Sequence, residues 1–174
     1  RVAVPSDAAP GFYGFNLFSA STNGNTSSNY TFVIEVMPEN DISYSYLDQA
    51  SDFIPGQIHT SSVLVTNTGN SELELQWDMA LVSGPCTVQL VDALTNGLSP
   101  GSSANVEFTI EVESTATAAD ECEISLDGEG HHGTYEYDAD EYIFTIGIDE
   151  LIAFELYSPS EGVINLIPQN AEQY

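Results

Sequence analysis

The sequence predicts an all-β protein, a sandwich of antiparallel sheets, and three observations carry the prediction. Apolar residues recur at every second position in run after run, as where Leu73, Leu75, Trp77 and Met79 alternate with Glu72, Glu74, Gln76 and Asp78. A period of two marks a strand with one wet face. The runs are short and separated by clusters of Gly, Pro, Asn, Asp and Ser, the residues that turn a chain. No stretch of any length carries the 3.6-residue period of an amphipathic helix.

Taken in order, residues 4–11 are a turn-rich lead-in to a strand with Tyr13, Phe15 and Leu17 in phase. A polar loop, 19–29, precedes a second strand with Tyr30, Phe32, Ile34 and Val36 in phase, and residues 37–40 break the pattern as a linker. From Asp41 a full set of strands follows. Residues 42–47 form the first, and Phe53-Ile54-Pro55-Gly56 leads into 61–65 and 73–79, which are joined by Asn67-Thr68-Gly69-Asn70 and read as a β-hairpin. Gly84-Pro85 turns into 86–91, and Pro100-Gly101 turns into 104–112, where Val106, Phe108, Ile110 and Val112 face inward. Residues 122–126 form the next strand, a Gly/His/acid loop spans 127–140, and 142–148 closes the set. Several short strands with regular turn signals and no helix predict an immunoglobulin-like β-sandwich.

The strand endings repeat. Residues 4–17 and 30–36 match 112–126 and 142–148, and 42–55 match 152–168, at offsets of roughly 110 residues, the length of one sandwich domain. The expected organisation is tandem: 1–37 the last strands of a partial domain, 41–148 a complete one, and 150–174 the first strand or two of a third. The partial pieces lack the middle of a sandwich between them, so the expectation is an excerpt of a longer array. Open strand edges at its ends would be ordered by neighbouring copies or chains.

Val65-Thr66-Asn67-Thr68-Gly69-Asn70-Ser71-Glu72-Leu73, followed by Leu98-Ser99-Pro100-Gly101-Ser102-Ser103-Ala104-Asn105-Val106, resembles the immunoglobulin-like tandem repeats of bacterial and archaeal surface proteins, of the CARDB and hydin-like types. The resemblance covers the complete middle domain and, through the internal repeat, the partial ones. It implies an extracellular, repetitive protein whose modules mostly act as spacers.

Composition narrows the partners. There are 27 acids against the single base Arg1, for a formal charge of −26. Binding phosphates requires Lys and Arg to release counterions, so nucleic acid and anionic membrane surfaces are excluded as partners. No apolar run approaches the roughly 20 residues of a membrane-spanning helix, so no membrane insertion is expected in this segment. Cys86 and Cys122 both fall at inward positions of their strands. A disulfide between them is expected, which places the protein outside the cytoplasm, with two buried thiols as the alternative.

Catalytic chemistry has little to stand on. His59 lies after a turn, His131 and His132 lie together in the glycine-rich loop, no G-x-S-x-G is present, and Asn67-Thr68-Gly69 lacks the aspartate of an aspartic-protease triplet. No catalytic residue is expected. Calcium is the candidate cofactor: folding 127–141 back on itself would gather Asp127, Asp138, Asp140 and Glu141, and a hard cation taking 6–8 oxygens suits such carboxylates. The other reading is a hydrated acidic loop. A transition metal on His131 and His132 is disfavoured because adjacent strand residues point apart. Asn25 and Asn29 head N-x-S/T sequons in the polar loop and are the expected glycosylation sites.

These readings converge on a non-catalytic structural or adhesive module of an extracellular stalk, fibre or surface filament. Its partners would be neighbouring copies of the same repeat or other surface proteins, with self-assembly into filaments one outcome. The alternative is an accessory carbohydrate- or calcium-binding module of a secreted multidomain enzyme.

Overall fold

The alternating runs become strands. The computed structural model describes residues 2–19, 22–23, 28–47, 53–132, 135–150, 154–157 and 165–168. Within them lie β1 (Gly11–Ser19), β2 (Ser28–Val36), β3 (Ile42–Leu47), β4 (Ile58–Asn67), β5 (Leu73–Ser83), β6 (Cys86–Leu90), β7 (Leu94–Leu98), β8 (Ser103–Val112), β9 (Glu121–His132), β10 (Tyr135–Asp138), β11 (Tyr142–Gly147), β12 (Phe154–Tyr157) and β13 (Asn165–Pro168). None of the described residues is helical.

Two antiparallel sheets form the body. One has the order β3-β4-β8-β6; the other has the order β10-β9-β5-β7, with β11 also paired to β9. This is the strand arrangement of an immunoglobulin-like sandwich. The inward rows are those that the alternation marks: Val63 and Val65, Leu75 and Trp77, Val106 and Phe108, Ile124 and Leu126 are all buried. Burying such side chains contributes about 1.5–3 kcal/mol each relative to exposure, which is what holds the two sheets face to face. One open side is closed by rings: Tyr44 of β3 stacks on Tyr142 of β11 at 4.9 Å, and Tyr46 on Phe144 at 4.9 Å. The expected disulfide is present, joining Cys86 of β6 to Cys122 of β9 with Cα atoms 6.1 Å apart, so it ties one sheet to the other.

Two local expectations are corrected. Residues 61–79 are not a hairpin: β4 pairs with β3 and β8, and β5 pairs with β7 and β9, so the Asn67–Asn70 turn carries the chain from one sheet to the other. Asn67 fixes that crossing, its amide donating to the Ser71 and Leu98 carbonyls at 2.7 Å each while its Oδ1 accepts from the Gly69 amide at 3.0 Å. Next, 127–140 is not an open loop. β9 continues to His132 and returns as β10, with Gly130 opposite Tyr137. The glycines there serve packing: a Cβ on Gly128 would meet Trp77 Cζ3 at 2.5 Å, and one on Gly130 would meet Leu75 Cδ2 at 2.6 Å. In a strand, glycine marks such a close approach as readily as it marks a turn. Residues 37–40 lie between β2 and β3, outside both, and are tied to the sandwich by hydrogen bonds set out below.

The flanking pieces form separate two-stranded ladders. β1–β2 places Leu17 opposite Tyr30, Phe15 opposite Phe32 and Tyr13 opposite Ile34. The matching residues of the body do the same: Leu126 faces Tyr142, Ile124 faces Phe144 and Cys122 faces Ile146. Even the entering turn recurs, with the Ala8 amide bonded to the Pro5 carbonyl at 3.2 Å as Ala116 is to Glu113 at 3.0 Å. β12–β13 behaves differently. Phe154 pairs with Pro168, whereas its counterpart Tyr44 pairs with Val65.

Candidate functional site

Two features outside the core concentrate chemistry: the outer face of the β10-β9-β5-β7 sheet, and the β4–β5 turn. On the outer face, Asp78 of β5 stands opposite Asp127 of β9, and Glu129 lies between Gln76 and Asp138. An open cleft of about 860 Å³ runs over it, lined by Glu74, Gln76, Asn96, Glu129, Glu136 and Asp138 among others. Like charges directly opposite in a ladder destabilise it. The chain has no lysine with which to pair them.

Beside this face two phenols sit at the junction of the sheets. Burial pushes the Tyr44 hydroxyl well above the usual phenol range, with Tyr137, Asp127 and Asp140 adding to the shift. The Tyr137 hydroxyl is also raised, mainly by burial and then by Asp41, while a hydrogen bond with the Ile42 backbone works the other way. Among the described residues the Tyr44 hydroxyl has no hydrogen-bond partner. Both phenols are therefore neutral at neutral pH, and neither is poised as a base.

The carboxylates singled out for calcium do not converge. Among the described residues no three His, Cys, Asp or Glu side chains approach as a metal-binding group. Asp127 belongs to β9, where its Oδ1 accepts from the Gly128 amide at 3.0 Å, and Asp138 closes β10 opposite Glu129. Asp140 and Glu141 lie in the break between β10 and β11. A two-stranded ladder spreads carboxylates along its length, where the expected loop would have gathered them. His131 stands opposite Glu74 and Glu136 in the two ladders, and His132 stands opposite Tyr135. His59 is engaged locally, its Nε2 accepting from the Ile54 amide at 3.0 Å. Asn29 is exposed on β2 opposite Phe18, while Asn25 lies outside the described residues.

The β4–β5 turn is the site that reasoning from sequence missed. Asn70 lies in the turn and its side chain reaches three backbone groups. Nδ2 donates to the carbonyls of Ala8 at 3.1 Å and Met37 at 3.2 Å, and Oδ1 accepts from the Glu39 amide at 2.6 Å. The backbone adds the Asn70 amide to Glu39 O at 2.9 Å and the Thr68 and Gly69 amides to Asp41 O at 2.9 and 3.2 Å. Thr68 Oγ1 donates to Asp41 Oδ2 at 2.7 Å, and Ser71 Oγ to Asn40 Oδ1. The available signal was two asparagines flanking one turn, residues whose amides serve nearby backbone.

No protein-family model matches the sequence, and no curated protein matches it. Among solved structures it is similar to the crystal structure of the yeast GGA1 GAE domain-P21, at 10% identity and a TM-score of 0.34, over 62% of this chain and 89% of that one.

Proposed function

We propose that this chain is a non-catalytic structural or adhesive segment of an extracellular stalk, fibre or filament built from tandem sandwiches. In this reading β1–β2 is the last hairpin of a preceding copy, 41–148 is a complete copy, and β12–β13 opens the next. The observation that carries the reading is the shared register of β1–β2 and β9–β11, which sets Leu17 opposite Tyr30 as Leu126 is set opposite Tyr142. A hairpin of that kind leaves Leu17 and Tyr30 exposed, 64% and 69%, where Leu126 and Tyr142 meet the rest of their sandwich. The inter-sheet disulfide supports an oxidising location outside the cytosol. The acidic face supports solubility and spacing between neighbours. The test is the reading frame on either side of residues 1–174: further copies at the same spacing with a surface anchor are expected, and a catalytic domain joined to one sandwich would overturn the proposal.

A further inference from the structure

The geometry points to the β4–β5 turn as a docking site for the base of the preceding sandwich's last hairpin, with Asn70 as its orienting residue. The inference rests on the tandem reading above and adds to it a fixed angle between copies. Ala8 lies just before β1 and Met37 just after β2, so one side-chain amide holds both ends of the hairpin at once. The linker is bound through Glu39 and Asn40, and Asp41, where it joins the sandwich, is bound to the same turn. Most of these groups are backbone amides, carbonyls and a neutral side-chain amide. A contact of that composition lets two strongly acidic modules meet without ion pairs, which a chain with 27 acids and one base could not supply.

The opposite end of the sandwich carries the matching acceptor. Ala116 and Asp149 stand where Ala8 and Met37 stand, after the same turn and the same ladder. That end is itself braced, the Phe53 amide donating to Asp149 Oδ2 at 2.9 Å and the Asp149 amide to Phe53 O at 3.0 Å. The two contacts lie toward opposite ends of β4, a ten-residue strand spanning roughly 30 Å. Each copy thus offers a turn at one end and a hairpin base at the other. A head-to-tail contact of this sort joins unlike surfaces, so it can be repeated from copy to copy along the chain.

Gly69 supplies a selective test. A Cβ there would meet Glu39 O at 2.1 Å and Glu39 C at 3.0 Å, both linker backbone, and Asp41 N at 2.9 Å, where the linker joins the sandwich. Gly69→Ala should therefore dislodge the linker and spare the sandwich. Spin labels carried on unnatural amino acids at the exposed positions Val33 and Glu107 of the full chain would report the distance between hairpin and body. A single narrow distance is expected for the parent. Loss of that narrow peak is expected for Gly69→Ala, with the thermal unfolding of the sandwich unchanged. Asn70→Asp keeps the acceptor for Glu39 and loses both donors, so it gives the same readout if Gly69→Ala does not fold. A broad distribution in the parent, or a narrow one in both variants, overturns the docking site. Those results leave the tandem reading in place. A reading frame without further copies would remove the tandem reading and leave a narrow distance untouched.

Discussion

The packing of Trp77 on Gly128 makes a prediction whose two halves check each other. Trp77 is 3% exposed, its indole N–H donates to Thr95 Oγ1 at 2.9 Å, and its ring meets Tyr44 edge to face at 6.3 Å. Removing a buried aromatic of this size costs about 3–5 kcal/mol, so Trp77→Ala should fall in that range. Gly128→Ala should cost about 1–3 kcal/mol for a different reason, since the new methyl would sit 2.5 Å from Trp77 Cζ3 and force the ring aside. In the Trp77→Ala background that obstacle is gone. There Gly128→Ala should be neutral or stabilising by up to about 1 kcal/mol, because alanine restricts the unfolded strand more than glycine does. The cycle is read from urea unfolding followed by circular dichroism, the double mutant being more stable than the two single changes sum to. If Gly128→Ala costs the same in both backgrounds, the ring does not lie over Gly128 and the phase of β5 against β9 is wrong.

Tyr44→Phe should be neutral or stabilise by about 1 kcal/mol, since it deletes a buried hydroxyl without a partner and keeps the stack on Tyr142; a loss of more than that, in the same unfolding assay, would show the hydroxyl to be satisfied. The raised folded-state pKa of Tyr44 has a sign: stability is full below the unfolded value near 10.0 and falls as pH climbs from there toward the folded value, so alkaline unfolding should be shallower in Tyr44→Phe. Reducing Cys86–Cys122, which spans 36 residues, should cost about 4 kcal/mol on the chain-entropy model, and non-reducing peptide mapping should find the two cysteine peptides joined. Raising salt from 0.1 to 1 M shortens the screening length from about 10 Å to about 3 Å, so the melting temperature should rise, and rise less in Asp78→Asn; a falling melting temperature would mean that the facing Asp78 and Asp127 carboxylates carry no strain.

Most of the fold was legible because two-residue alternation reports burial directly. Val63, Leu75, Trp77, Phe108 and Ile124 were placed inward by period alone, and the facing of Cys86 and Cys122 followed from the same phase. What period cannot report is which strand neighbours which. The turn at 67–70 has hairpin composition, yet it joins two sheets because β4 finds its partners in β3 and β8. Glycine misled for a related reason. Gly128 and Gly130 read as loop residues in sequence, although their missing side chains make room for Trp77 and Leu75 from the adjacent strand. The calcium expectation was argued from that loop, whereas Asp127 and Asp138 lie in the paired strands β9 and β10. The Asn70 clasp was hidden because its acceptors are backbone carbonyls 33 and 62 residues away, which no side-chain pattern encodes.

The central claim is that sandwiches of this kind follow one another along the polypeptide at a fixed angle and serve to connect or display. Electron microscopy of the native polypeptide tests it most directly. Straight, unbranched rods with an evenly spaced repeat are expected, whereas a single globular particle, or beads in random orientation, would contradict the account.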